Sequence, residues 1–130
     1  MNKYKFYVLI CLSLVSIELS AAVTYDNVIH HQVFLWLNKD VNNDVIDNII
    51  SETKKLNTIP GILYLSVGSV ISSERDIVDD SYHIGIHMTF KSVADMKTYL
   101  QHPYHQEYLR VYVKPVLEKI RVYDFSETIP

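Results

Sequence analysis

Blocks of apolar residues alternate with short polar breaks along the chain, and the period inside each block names the element it predicts. From His30 to Leu37, apolar, β-branched and aromatic residues crowd a run of strand length. Alternation puts His31, Val33, Leu35 and Leu37 on one face and Gln32, Phe34 and Trp36 on the other. Both faces are largely apolar, which predicts a strand covered on both sides. Asn38-Lys39-Asp40 breaks the pattern. Between Asn43 and Leu56 the period changes, with Val45, Ile46, Ile49, Ile50 and Leu56 close to helical spacing on an otherwise polar segment. Pro60-Gly61 turns the chain, and Ile62–Val70 reads as a second strand with a bulge expected at Gly68.

The polar, acidic stretch Ile71–Asp80 predicts a surface loop. Tyr82–Phe90 predicts a third strand, with Tyr82, Ile84, Ile86, Met88 and Phe90 on one face and His83, Gly85, His87 and Thr89 on the other. Ser92 is placed to cap a helix carrying Val93, Met96 and Tyr99, with Asp95 completing a capping box. His102-Pro103 interrupts that helix, and Pro103 suits the first turn of a new one running to about Val113. Lys119–Phe125 closes the chain as a fourth strand. The order β-α-β-β-α-β, with its second helix split, is that of an α+β, ferredoxin-like fold: a four-stranded antiparallel sheet with helices on one face. The other face carries Phe34 and Trp36. A second copy of the chain is its expected cover, giving a homodimer through the helix-free face, a dimeric α+β barrel.

The N-terminal residues have a different character. Lys3 and Lys5 precede the uncharged, mostly apolar run Phe6–Ile17, and Ser20-Ala21-Ala22 supplies small residues, the pattern of a signal peptide over residues 1–22. The run is shorter than the roughly 20 residues that span a bilayer. The expectation is an exported protein, periplasmic or secreted, with a single domain over residues 23–130 and no stable membrane insertion after cleavage. Cleavage removes Cys11, the one cysteine, and with it any disulfide, thiol nucleophile or cysteine metal ligand. A formal charge of −3 gives no basic excess for nucleic acid. Three glycines leave no phosphate-binding loop, no serine has a nucleophile-elbow context, and no basic amphipathic helix addresses a membrane.

With the elements placed, several strings resemble the stress-responsive A/B-barrel (Dabb) family. They are His31 with the strand after it, Ile59-Pro60-Gly61, Ser81-Tyr82 with Met88 to Ser92, Tyr99 with His102-Pro103-x-His105, and Val122 to Phe125. Together they cover Ile29 to Phe125. The family includes plant stress proteins, a polyketide cyclase and many members without known activity. The resemblance implies a cavity between sheet and helices, lined here by Val33, Leu35, Ile86, Ile120 and Val122. It also implies that His105 matches a general base, Tyr99 its assistant and His31 a third pocket residue. Polyketide assembly is cytosolic, and the export-type leader points away from such substrates.

The residue chemistry is compatible with that assignment. A histidine is a suitable base near neutral pH, and a phenol can polarise a carbonyl, so His105 and Tyr99 would serve proton abstraction beside a carbonyl, with His102 and Asp124 as further pocket residues. The structural alternative is that His102 caps a helix, His105 donates to a backbone carbonyl and Tyr99 is core. Asp124 either orients a pocket histidine or ends its strand in water. Zinc needs three or four converging ligands, and the strand faces separate His83 and His87 from His31, so no metal and no cofactor are expected. His83 and His87 are then expected in the dimer interior. The expectation is a homodimer that binds a small apolar or aromatic ligand or serves a stress-associated role without catalysis; the alternative is a small lyase, isomerase or cyclase using a histidine general base on an enolisable carbonyl substrate.

Overall fold

The computed structural model describes residues 27–128. The expected signal peptide, residues 1–22, lies outside the described residues. Strands β1 (Asn27–Leu37), β2 (Ile62–Ser69), β3 (Ile84–Phe90) and β4 (Leu117–Thr128) form one antiparallel sheet in the order β2-β3-β1-β4. Helices α1 (Asn43–Lys55), α2 (Val93–Gln101) and α3 (Pro103–Tyr108) connect them, and α3 continues as a π-helical turn, Leu109–Val113, and a 3₁₀ turn, Lys114–Val116. This is the ferredoxin-like architecture.

Local chemistry fixes each element's start. The Asn42 side chain accepts from the Val45 amide to cap α1. At α2, Ser92 Oγ accepts from the Asp95 amide at 3.1 Å and donates to Asp95 Oδ2 at 2.7 Å, which ties the first turn from both sides. Gly61 sits at φ 96°, where a Cβ would meet the Asp95 side chain at 3.2 Å; only glycine suits both demands.

The core lies between sheet and helices. Ile29, Val33, Leu35 and Leu37 from β1 interleave with Ile84, Ile86, Met88 and Phe90 from β3, under Ile49, Leu56, Tyr99 and Tyr108. Each fully buried aliphatic side chain contributes about 1.5–3 kcal/mol relative to its exposed state. Thr53, fully buried in α1, donates to the Ile49 carbonyl at 2.7 Å and accepts from Tyr108 Oη at 2.6 Å, joining α1 to α3.

Two local expectations are corrected. The irregularity in β2 falls between Ile62 and Tyr64, while Gly68 stays in register opposite Gly85. The third strand begins at Ile84, because the chain bends at His83. Alternation therefore fails across the bend. Tyr82 packs edge-on against Phe34 and Trp36 on the helix-free face, at centroid distances of 4.9 and 6.1 Å. His83 borders a groove with Asn43, Ile46 and Asp47 of α1, and its Nδ1 accepts from the Leu37 amide at 3.0 Å. Of the two histidines expected on the helix-free face, only His87 is there.

That face is aromatic and incompletely covered. Tyr64, Tyr123 and Phe125 remain 52%, 57% and 49% exposed. Trp36 is anchored by its Nε1 donating to Ser81 Oγ at 2.9 Å, with Lys119 Nζ 4.1 Å from its ring centre. Strand β4, at the sheet edge, is exposed along nearly its whole length.

Candidate functional site

A cavity of about 150 Å³ lies between the sheet and the segment from α2 through the π-helical turn. That volume is about what a benzene-sized ring needs. Its walls include Val33, Leu35, Ile86, Ile120 and Val122, together with Leu56, Met88, Leu100, Leu109 and Val113. The polar residues reaching it are His31, Tyr99, His105 and Tyr108. Ile120 and Val122, 43% and 44% exposed, form its mouth on the edge strand β4.

His31 reaches the cavity because the β1 alternation puts it beside Val33 on the helix-facing side. Asp124, its register partner on β4, accepts from His31 Nδ1 at 2.6 Å. His105 is delivered by the chain break at His102-Pro103, and its Nδ1 donates to the Leu100 carbonyl at 3.2 Å. Gln106 Nε2 donates to the same oxygen at 2.6 Å. Both imidazoles are thus held through Nδ1, which leaves a lone pair on Nε2 of the neutral ring. Tyr99 lies between the two, tilted against the His105 ring at 4.3 Å and edge-on to that of His31 at 6.3 Å, with Phe90 tilted against it at 5.2 Å.

Neither Nε2 atom nor the Tyr99 hydroxyl has a hydrogen-bond partner among the described residues. No fully buried side-chain nitrogen or oxygen among them lacks a partner, so these three atoms are not fully enclosed, and all three residues line the cavity. Burial lowers the His105 pKa, helped by His31 and His102 and opposed by the Leu100 carbonyl, so the ring is neutral at pH 7. Burial raises the Tyr99 phenol well above its usual range, with Tyr108 adding to the effect, and keeps it a proton donor. The Tyr108 phenol, which donates to Thr53, is pushed up to about 12 by burial. A neutral base, a phenol donor and a carboxylate-bound second imidazole around one apolar space can accept and return a proton on an uncharged molecule.

The sequence expectations divide here. His31, Tyr99, His105, Val33, Leu35, Ile86, Ile120 and Val122 meet at the cavity. His102 and Asp124, expected to line it, do not. His102 turns away to cap α3, its Nδ1 accepting from the Tyr104 amide at 3.2 Å, the structural alternative for that residue. Asp124 stands behind His31, accepting from its Nδ1. Tyr108, Leu109 and Val113 went unnoticed, although their spacing from His105 places them on its side of the helix. His30 also escaped notice. Its Nδ1 lies 3.0 Å from His87 Nε2 and its Nε2 2.8 Å from Glu127 Oε2, on the helix-free face. Among the described residues no group of three or more histidine, cysteine or acidic side chains is placed to hold a metal, and no helix is long and apolar enough to cross a membrane.

Solved structures repeat this fold. A Dabb family protein with a ferredoxin-like fold from Mesorhizobium loti MAFF303099 is 27% identical, with a TM-score of 0.64 over 80% of this chain and 97% of its own. The hydroxynitrile lyase from Passiflora edulis is 26% identical, with a TM-score of 0.69 over 81% of this chain and 99% of its own. A dimeric ferredoxin-like protein of unknown function from Thermobifida fusca is 20% identical, with a TM-score of 0.65 over 78% of this chain and 92% of its own. No curated protein matches the sequence. Residues 29–127 match the model of the stress responsive A/B barrel domain, and the chain belongs to that family.

Proposed function

We propose that this protein is an exported homodimer whose cavity takes a small, uncharged apolar or aromatic molecule and transfers a proton on it, as a lyase, isomerase or cyclase acting beside a carbonyl or hydroxyl group. The observation that carries the reading is the meeting of His31, Tyr99 and His105 on the wall of one largely apolar cavity, with both imidazoles bonded through Nδ1. In this reading His105 Nε2 takes the proton and the Tyr99 phenol donates a hydrogen bond to the substrate oxygen as charge develops there. His31, held by Asp124, offers a second site for proton return. Among the described residues no lysine or arginine lines the cavity, so none of them would compensate a carboxylate or phosphate; this favours neutral substrates. That a relative of this fold is a hydroxynitrile lyase supports the lyase reading. Dimeric relatives and the exposed aromatic face support the pairing of two copies, and the leader's composition supports export.

Proton–deuterium exchange in D₂O tests this directly, with small enolisable ketones and aldehydes as probes and NMR detection. The expected result is protein-dependent loss of the α-proton signal, abolished in His105→Gln and reduced in Tyr99→Phe. Probes that bind without exchanging would leave a binding protein without chemistry. Probes that neither bind nor exchange would overturn the reading.

A further inference from the structure

We infer that the helix-free face is a self-association surface that releases in acid, with the His30–His87 pair as its switch. The inference rests on the proposed pairing of two copies through this face and adds to it a property that the cavity chemistry does not require.

The geometry of the cluster is directional. Glu127 is a carboxylate and can only accept, so His30 Nε2 donates to it across 2.8 Å. In the neutral ring His30 Nδ1 is then an acceptor, and His87 Nε2 donates to it across 3.0 Å. The rings are held in this arrangement by stacking. His30 lies 4.4 Å from Phe125 with an interplanar angle of 3°, and 5.2 Å from His87 at 8°. Tyr64 closes the other side of His87 edge-on at 5.8 Å.

One added proton fits this chain. With one ring protonated, the 3.0 Å contact still has one donor and one acceptor, and Glu127 still accepts from His30 Nε2. A second proton does not fit. Both rings then have only donors, the 3.0 Å contact loses its acceptor, and two like charges face each other between aromatic walls. The side chain of His30 is already only 15% exposed in a single copy. A second copy on the same face would remove the water that now reaches His87, and with it the solvation a second charge needs.

The groups facing the pair come from all four strands. Glu127 and Tyr123 on β4 and Tyr64 on β2 are the titratable ones, Gln32 and Thr89 on β1 and β3 are neutral, and Lys91 follows the end of β3. The one carboxylate among them serves His30, and the strands bring none to His87. Burial lowers the His87 pKa, and the charge of His30 lowers it further. A base whose pKa is depressed in the associated state takes up its proton on dissociation, so association weakens as pH falls and is unaffected well above about 6.5.

The test is sedimentation equilibrium of the full chain from pH 7.5 to 5.0, with circular dichroism at each pH to separate dissociation from unfolding. Each subunit excludes one proton, so the dimer dissociation constant should rise at least tenfold, and up to about 100-fold, per pH unit below the transition. His87→Gln and His30→Gln each remove the like-charge pair, and either one that folds should flatten the profile to within about threefold. Two copies that stay paired at pH 5.0, or variants that dissociate in parallel with the wild type, would overturn the switch while leaving the dimer intact. A Tyr123→Glu variant that stays dimeric would place the pairing on another face, and a monomer at pH 7.5 would remove the dimer itself; both results overturn the inference at its foundation.

Discussion

His31 and Asp124 face each other across β1 and β4 as register partners, and their side chains close the same pair, Nδ1 to Oδ1, at 2.6 Å. The imidazole is almost wholly buried while the carboxylate remains 44% exposed, so an edge-strand residue in contact with water sets the tautomer of a ring inside the cavity. In Asp124→Ala, the neutral His31 ring should shift from the Nδ1–H toward the Nε2–H tautomer. Nitrogen-15 shifts of the imidazole report this without a substrate. An unchanged tautomer would mean that something other than Asp124 holds the ring.

The base itself has a pH signature. Because burial lowers the His105 pKa, the folded protein binds that proton less readily than the unfolded chain does. The stability associated with this group is complete above about 6.5 and is lost as pH falls toward the lower folded value. His105 should titrate below 6.5 by NMR, and urea unfolding of His105→Gln at fixed protein concentration should show a shallower decline in acid than the wild type. A His105 midpoint at or above 6.5 would contradict the burial.

Thr53 and Tyr108 give an asymmetric pair of stability predictions. Tyr108→Phe removes one hydrogen bond but leaves Thr53 bonded to the Ile49 carbonyl, and should cost about 0.5–1.5 kcal/mol. Thr53→Val strands the buried phenol and should cost more, about 1–3 kcal/mol. Denaturant titration of the two variants orders them, and the reverse order would show that the phenol finds another partner.

The cavity mouth and wall should respond differently to substitution. Val122→Phe narrows the opening at a half-exposed position, so stability should stay within about 0.5 kcal/mol while affinity for a benzene-sized probe falls at least tenfold. Leu35→Ala enlarges the cavity from a fully buried wall and should cost about 2–5 kcal/mol. Paired calorimetry and thermal unfolding separate the two effects.

The ferredoxin-like order was legible because most strands keep strict alternation and α1 keeps a helical stripe. His31, Val33 and Leu35 share a face by parity alone, so the cavity's sheet wall could be read from the sequence. The reading failed where backbone geometry interrupts the period. The bend at His83 carries no glycine or proline to announce it, and it moved Tyr82 and His83 to the opposite sides from those expected. His102 was placed in the pocket because it neighbours His105 in sequence, yet its ring is taken by the amide of Tyr104. The contact of His30 with His87 depends on the diagonal offset between strands, which parity on a single strand does not reveal.

The π-helical turn at Leu109–Val113 has a consequence for how this family can change. His105, Leu109 and Val113 are four residues apart and all line the cavity. On an unbroken α-helix each four-residue step overshoots a full turn by about 40°, so the third side chain would swing away from the first. The wider i→i+5 turn takes up that overshoot and keeps the three in one column. Chain length in this stretch therefore works as a rotary setting. Losing a single residue between 109 and 113 would turn Val113 out of the wall and re-form the site without altering any residue that touches a ligand. The same deletion in the exposed loop over residues 71–80 would leave the site as it is.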